Sequence, residues 1–171
     1  MILEKSFFER DVLEVAPELV GKILVTNIDG VERRLMITET EAYRGEEDTA
    51  CHASKGRTNR TDVLYREAGT IYVYLCYGMH WLINIVTGEK DEPQAVLIRA
   101  CEGNFNGPGK LTKYLKITGS LNGEKIFQNN IIRIEDTGER VKIFRDKRVG
   151  ISYATPKYRN IKWRFILKED K

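Results

Sequence analysis

Three short apolar runs follow one another between residues 70 and 100, and they constrain the fold more than any other feature. The runs are TIYVYLCY (70–77), HWLINIVTG (80–88) and AVLIRA (95–100), and Gly78 separates the first two. Runs of this length, rich in β-branched and aromatic residues and bounded by turn residues, are typical of buried strands. They predict a meander of mostly buried β-strands.

The rest of the chain predicts further strands and a few short helices. A β-hairpin is indicated by KILVTNI and RRLMITETEAY on either side of Asp29-Gly30. A helix that Asp11 can cap is predicted over ERDVLEVAPELVGK, and another begins after Pro108 in GPGKLTKYLKIT. Short strands are expected near NNIIRIED, RVKIFR and KWRFIL. This mixture indicates an α+β fold with antiparallel pairing in one domain of 171 residues.

Composition points to an intracellular protein. No run of about 18 apolar residues is present, so no membrane span is expected. The opening MILEKSFFERD does not have the pattern of a signal peptide, because acids interrupt its short apolar pieces. The three cysteines are widely spaced and odd in number, which argues against a disulfide framework.

The positive charge is clustered. The net charge is only +3, but KGRTNR (55–60) holds three cations and no acid, and the chain from residue 147 to 168 is basic with interleaved aromatic residues. Such segments suit a nucleic-acid surface. A solvated face with scattered lysines and arginines would give the same pattern, and charge alone leaves both interpretations open.

The segment TETEAY (38–43) carries a candidate catalytic acid. Alternate residues of a strand share a face, which places Glu39, Glu41 and Tyr43 together. The same face begins with Leu35 and Ile37, so we expect it to run from the core into a cleft. A carboxylate there can have a raised pKa and act as a general base, although glutamates at a strand end can also be merely solvated.

Aromatic residues accumulate around this acid. Tyr72 and Tyr74 share a strand face, and Tyr77 lies beside Gly78, where a turn can direct it outward. An aromatic lining binds flat π-systems by stacking. An aromatic core cluster is the alternative, but the polar residues expected nearby favour a site: Tyr43, His52, Asn84 and Arg99.

A metal site is not predicted. The candidate ligands are Cys51, His52, Cys76, His80 and Cys101, but they form neither CxxC nor HExxH. Cysteines in apolar strands are usually small hydrophobic residues.

At these same positions the chain resembles a known family, the alkyladenine or 3-methyladenine DNA glycosylases. The matching motifs, in order along the chain, are ETEAY (39–43), ACHAS (50–54), GTIYVYLCYGMHWLIN (69–84), VLIRA (96–100), GPGKL (107–111), RVGI (148–151) and WRF (163–165). The resemblance implies a single α+β domain with a curved, mostly antiparallel sheet flanked by short helices.

The resemblance also implies an activity. These enzymes flip a damaged purine out of duplex DNA and hydrolyse its N-glycosidic bond. The expected enzyme is monofunctional and does not cleave the strand. It needs no metal or organic cofactor, acts as a monomer on double-stranded DNA, and removes 3-methyladenine and 7-methylguanine, with hypoxanthine and ethenoadenine as further candidates.

Individual roles follow from the matched motifs. Glu41 matches the general base, and Arg99 the residue that helps to hold the attacking water. Tyr77 matches a wedge that fills the gap left by the flipped base. The expected base-binding residues are Tyr43, His52, Tyr72, Tyr74 and Asn84, with Asn84 disfavouring normal guanine. Further DNA contacts are expected from Arg57, Met79, His80, Lys110 and Lys113.

The chain departs from the family in one connection. Only CEGNFN (101–106) joins VLIRA to GPGKL, where family members carry a longer segment. Two other classes remain as alternatives. A non-catalytic nucleic-acid module would need no carboxylate at Glu41, and a nucleoside hydrolase would need no wedge at Tyr77.

Overall fold

A long central strand organises the molecule, which a computed structural model describes over residues 1–169. This strand, β2, pairs along its first half with β1 and along its second half with β5 and β8. The strands are β1 (Ile23–Ile28), β2 (Val31–Arg44), β3 (Ile71–Cys76), β4 (His80–Val86), β5 (Gln94–Cys101), β6 (Ile132–Glu135), β7 (Ile143–Asp146) and β8 (Arg164–Leu167).

The helices are short and flank the sheet. They are α1 (Lys5–Phe8), α2 (Val12–Leu19), α3 (Pro108–Leu115) and α4 (Pro156–Asn160), with 3-10 helices at His52–Lys55, Thr61–Tyr65 and Gly119–Leu121. Within the described part of the chain, no helix has the length and apolar character needed to cross a membrane.

The sheet order is β3-β4-β5-β2-β1-β6, with β8 beside β2 and β7 beside β8. Each of these pairings is antiparallel. The predicted meander is confirmed as β3, β4 and β5, and the predicted hairpin as β1 and β2. The expected fold class, α+β with a curved antiparallel sheet and short helices, is likewise confirmed.

Helix α2 covers one face of the sheet. The Asp11 side chain accepts a hydrogen bond from the Leu13 amide, as the predicted cap requires. At the other end, the Thr40 hydroxyl donates to the carbonyl of Ala16 at 2.7 Å, which satisfies a carbonyl that the helix leaves free. The core between helix and sheet includes Phe8, Leu19, Ile37, Ile98 and Phe165.

The predicted continuity of one face of β2 is wrong. The pairing of β2 with β5 shifts between Ile37 and Thr40. Ile37, Thr40 and Ala42 therefore all face the core, although a regular strand would place Ile37 on the opposite face from the other two. Glu41 consequently lies on the other side of the sheet from Leu35 and Ile37, at the centre of the cleft described below.

A tight turn joins β3 to β4. The Met79 amide donates to the Cys76 carbonyl at 3.1 Å, and both central residues, Tyr77 and Gly78, have positive φ (52° and 65°). This is the pattern of a type I′ turn, which suits the twist of a hairpin. It directs Tyr77 outward, with 91% of the residue exposed.

Candidate active site

One cleft collects most of the predicted site residues. It has a volume of about 650 Å³ and lies on the face of β2–β5 away from α2, between the His52–Lys55 helix, the start of α3 and the loop around Val149. Ten of the thirteen predicted residues line it; the exceptions are Arg57, Met79 and Lys113.

Glu41 lies at the bottom of this cleft and is fully buried. Its Oε1 accepts a hydrogen bond from the Tyr43 hydroxyl at 2.9 Å, and its Oε2 accepts one from the Val149 amide at 2.7 Å. The guanidinium of Arg99 lies 3.7 Å from Oε1, close enough for an ion pair but too far for a hydrogen bond. The carboxylate is thus held from three sides.

Burial dominates the titration of this carboxylate. Desolvation raises the pKa of Glu41 above its ordinary value, and Arg99, the Val149 amide, the Tyr43 hydroxyl and Arg148 each partly offset that rise. A carboxylate whose pKa is raised by burial, and whose oxygens still accept hydrogen bonds, suits the role of a general base.

Three rings form the aromatic wall of the cleft. His52 Nδ1 lies 2.8 Å from the Tyr72 hydroxyl, and its ring centroid lies 4.6 Å from that of Tyr74. Desolvation, together with Arg60 and Lys55, lowers the pKa of His52 to about 4. The imidazole is therefore neutral at physiological pH, so the wall presents uncharged aromatic faces.

Asn84 and Arg99 lie on neighbouring strands, as predicted. Asn84 is buried on β4, opposite Leu97 of β5, and its Nδ2 donates to the Tyr72 carbonyl at 3.3 Å. Arg99 reaches into the cleft from β5. A carboxylate, an arginine, an amide and aromatic rings thus converge on one space.

Comparison with known proteins shows which family the chain belongs to. The family model described as methylpurine-DNA glycosylase (MPG) matches residues 6–106 and 102–171. The chain belongs to the methylpurine-DNA glycosylase family. The expectation that it is a DNA glycosylase, an N-glycosyl hydrolase that acts in DNA repair, is thereby confirmed.

Individual relatives agree over nearly the full length. A protein of Desulfitobacterium hafniense is 42% identical over 98% of this chain and 95% of its own length. Proteins of Borreliella burgdorferi (41%) and Natranaerobius thermophilus (39%) each match 99% of this chain and 97% of their own. All three carry the provisional name 3-methyladenine DNA glycosylase.

The comparison also bears on the short connection. The family model matches in two stretches that meet at residues 102–106, which is where the connection was expected to be short. The alignment with the N. thermophilus protein runs over 193 positions, more than the 171 residues of this chain. The relative therefore contains residues that this glycosylase lacks.

Close packing brings α3 to the mouth of the cleft. A Cβ on Gly109 would lie 2.8 Å from the ring of His80, so only glycine allows the helix to approach β4 this closely. The Thr112 hydroxyl donates to the Trp81 carbonyl at 2.8 Å and fixes the contact. His80 and Lys110 consequently both line the mouth of the cleft.

The other predicted DNA contacts lie outside the cleft. Met79 is 73% exposed at the hairpin tip, and Lys113 is exposed on α3. The guanidinium of Arg57 is held by Asp62 at 2.8 Å and Asp91 at 3.2 Å, on the surface. The role of these three residues in contacting DNA remains a prediction. At Arg57, the two acids would compete with a DNA phosphate for the guanidinium.

Several cleft residues were not singled out from the sequence. Arg60, from the same basic run as Arg57, lies over the Tyr74 ring at 5.4 Å and lines the cleft. Tyr153 also lines it, and its hydroxyl donates to the Ala50 carbonyl at 2.8 Å. Val149 contributes only its backbone amide to Glu41, a role that carries no sequence signal beyond the RVGI motif.

Within residues 1–169, no group of three or more His, Cys, Asp or Glu side chains is arranged to hold a metal ion.

Proposed function

We propose that the protein is a monofunctional glycosylase that flips 3-methyladenine and other alkylated purines out of duplex DNA and hydrolyses their N-glycosidic bond. The observation that carries the proposal is the buried Glu41 carboxylate at the bottom of an aromatic-lined cleft, where both of its oxygens accept hydrogen bonds. A base stacked inside a duplex cannot reach a group at this depth, which is why the proposal includes flipping.

The aromatic wall suits a flat and cationic base. The rings of Tyr43 and Tyr74 offer π-faces, and an alkylated purine with a positive charge is attracted to such faces. A neutral His52 adds no repulsion, because its pKa lies near 4. Asn84, fixed by the Tyr72 carbonyl, takes the role of disfavouring guanine, whose exocyclic amine it would crowd.

The chemical step follows from the position of Glu41. As the C1′–N bond breaks, the base leaves with the bonding electron pair and the sugar gains oxocarbenium character. A water molecule then forms the C1′–O bond and gives its proton to Glu41, as in inverting glycosidases. Cationic 3-methyladenine or 7-methylguanine leaves as a neutral base and needs no general acid. Arg99, 3.7 Å from the carboxylate, helps to place the water.

Tyr77 takes the role of the wedge. The residue is 91% exposed at a turn tip beside the cleft, so its ring can enter the duplex and occupy the space that the flipped nucleotide leaves. His80 and Lys110 at the mouth, and Met79 beside the wedge, would then meet the groove and the phosphates.

The decisive experiment measures release of 3-methyladenine from methylated duplex DNA under single-turnover conditions. Glu41→Gln should lower the rate by about 100- to 10,000-fold, because general base catalysis is lost, while binding of the DNA is retained. Glu39→Gln is the matched control on the same strand. Its carboxylate pairs with Arg164 at 3.3 Å and does not line the cleft, so its rate should stay within about threefold of wild type.

The outcomes separate three classes of protein. Release that depends on Glu41 supports the proposal. Binding of lesion DNA with no release by the wild-type protein would indicate a reader of damage, and release from free nucleosides but not from duplex DNA would indicate a nucleoside hydrolase.

The monofunctional mechanism has its own test. A bifunctional enzyme would form an imine through a lysine, and among the described cleft-lining residues Lys110 is the one lysine. Its ammonium donates to Asn106 at 2.9 Å. We expect an abasic product with an intact strand and no borohydride-trapped complex, and a Lys110-dependent trapped complex would overturn this part of the proposal.

A further inference from the structure

A fully buried ion pair lies behind the candidate general base. The side chains of Arg148 and Asp48 are both 0% exposed, and their two parallel hydrogen bonds measure 2.7 and 3.0 Å. The Arg148 guanidinium also lies over the rings of Tyr43 and Trp163, 4.9 and 5.1 Å from their centroids. Neither charged residue lines the cleft.

The pair joins separate segments of the chain. Arg148 donates to the carbonyls of Ala42 at 2.9 Å and Tyr158 at 3.0 Å, which lie at the end of β2 and in α4. Asp48 accepts from the amides of Arg44 at 3.0 Å and Ala50 at 3.1 Å. Four of the five guanidinium donors are thus used, and Nε has no hydrogen-bond partner.

This anchoring continues directly into the active site. Val149 follows Arg148 in the chain, and its amide donates to Glu41 Oε2 at 2.7 Å. Val149 itself is exposed, so its own side chain does little to hold this amide in place. The buried guanidinium of Arg148, one residue earlier, is therefore what anchors the loop that carries Val149.

We propose that Arg148, clamped by Asp48, is a positioning residue that fixes the Val149 amide against Glu41 and so sets the geometry and proton affinity of the general base. This inference rests on the proposed function of Glu41. Arg148 does not touch the substrate and acts only through the loop and the carboxylate. A lysine cannot replace it, because one ammonium cannot span two carboxylate oxygens and two carbonyls in a plane.

Other groups that face Glu41 are unchanged by a substitution at Arg148. Besides Arg148, the charged and titratable groups around the carboxylate come from β2, β3, β5 and the loop after β7; they are Tyr43, Tyr74, Arg99 and Tyr153. Because Arg148→Lys keeps the charge, it changes mainly the placement of the Val149 amide. Losing that hydrogen bond to the ionised form raises the pKa of Glu41 further.

The test compares Arg148→Lys and the isosteric Asp48→Asn with wild type, at a temperature where circular dichroism shows each variant folded. Single-turnover release of 3-methyladenine at saturating enzyme should fall about 10- to 100-fold, while the Kd for lesion DNA stays within about twofold. In Arg148→Lys, which keeps the charge, the acidic limb of the pH–rate profile should also move to higher pH. A residue with a merely structural role would not shift this acidic limb.

Arg44→Lys is the matched control. Arg44 makes a comparable two-pronged pair with Asp11, with distances of 2.6 to 3.1 Å, but does not contact Glu41 or its loop. Its rate and acidic limb should match wild type. Folded Arg148→Lys and Asp48→Asn proteins with wild-type rate and limb would overturn the inference. If Glu41→Gln itself keeps full activity, the proposed function fails instead, and the two failures are thus distinct.

Discussion

The floor of the cleft and the tip of the β3–β4 hairpin serve the two halves of the proposed reaction, and they are built in opposite ways. At the floor, Glu41 is fully buried and both of its oxygens accept hydrogen bonds. At the tip, Tyr77 and Met79 are 91% and 73% exposed. Catalysis requires catalytic groups that are already in position before the substrate binds. Insertion into a duplex instead requires an aromatic ring that is exposed to solvent in the free protein.

The two regions share one property despite this contrast. Each holds a feature that opposes folding: a desolvated carboxylate at the floor, and a tyrosine with φ of 52° at the tip. Unfavourable features of this kind concentrate at functional sites. We therefore expect substitutions at both places to lower activity and to raise stability. At the floor the gain in stability comes from removing a buried charge, and at the tip it comes from relieving backbone strain.

Among the substitutions that distinguish the tip from the floor, removal of the Tyr77 wedge should change the excision rate the most. Tyr77→Asn should lower excision of a lesion from a fully paired duplex by about 10- to 100-fold, because unstacking a nucleotide costs a few kcal/mol that the wedge offsets. The same lesion placed opposite an abasic site is easier to extrude, and its excision should change by less than about threefold. The measurement is single-turnover release from the two duplexes.

Glu41→Gln is the control for this comparison, since it should lose activity equally on both duplexes. If Tyr77→Asn lowered both rates by the same factor, Tyr77 would contribute to the pocket or to general binding, and its assignment as a wedge would be wrong.

The sequence predicts the tip better than the floor. Turn chemistry is local, so Gly78 between two apolar runs was sufficient to place Tyr77 outward. The floor depends on distant partners: the face that Glu41 occupies is set by the irregular pairing of β2 with β5, and its second hydrogen bond comes from Val149, 108 residues away. A period-2 pattern contains no information about where pairing shifts, so the expected face of β2 was wrong. Periodicity left Glu39 and Glu41 as equal candidates, and the resemblance to the family selected Glu41.

A smaller effect concerns stability at the floor. Because burial raises the pKa of Glu41, the folded protein binds more protons here than the unfolded chain between the ordinary pKa of glutamate, about 4.3, and the raised value. The free energy of unfolding contributed by this group therefore falls as pH rises through that interval. Glu41→Gln should be more stable than wild type by on the order of 1 kcal/mol at pH 7.

Urea unfolding at pH 7 and at about pH 4 checks this sign, because the advantage of Glu41→Gln should vanish where Glu41 is protonated. Glu39→Gln again serves as the control. It loses a partly exposed ion pair with Arg164 and should be equal to wild type or less stable by up to about 1 kcal/mol. A Glu41→Gln protein less stable than wild type at pH 7 would show that the ionised carboxylate is a net stabilising group.

The smallest expected effect is a gain in stability at the tip. It has the same sign as the gain in Glu41→Gln, but it comes from the backbone. A non-glycine residue in the left-handed region costs about 1–2 kcal/mol, less for asparagine, and Asn-Gly is the preferred pair for a type I′ turn. Since the Tyr77 ring is exposed, Tyr77→Asn removes little buried area and should stabilise the protein by about 0.5–1 kcal/mol in urea unfolding. Met79→Asn, at the same tip but without positive φ, should stay within about 0.5 kcal/mol of wild type. Loss of stability in Tyr77→Asn would mean that the ring packs against the protein. A gain, together with slower excision from paired duplex, would show that the strained turn is retained for the wedge that it presents.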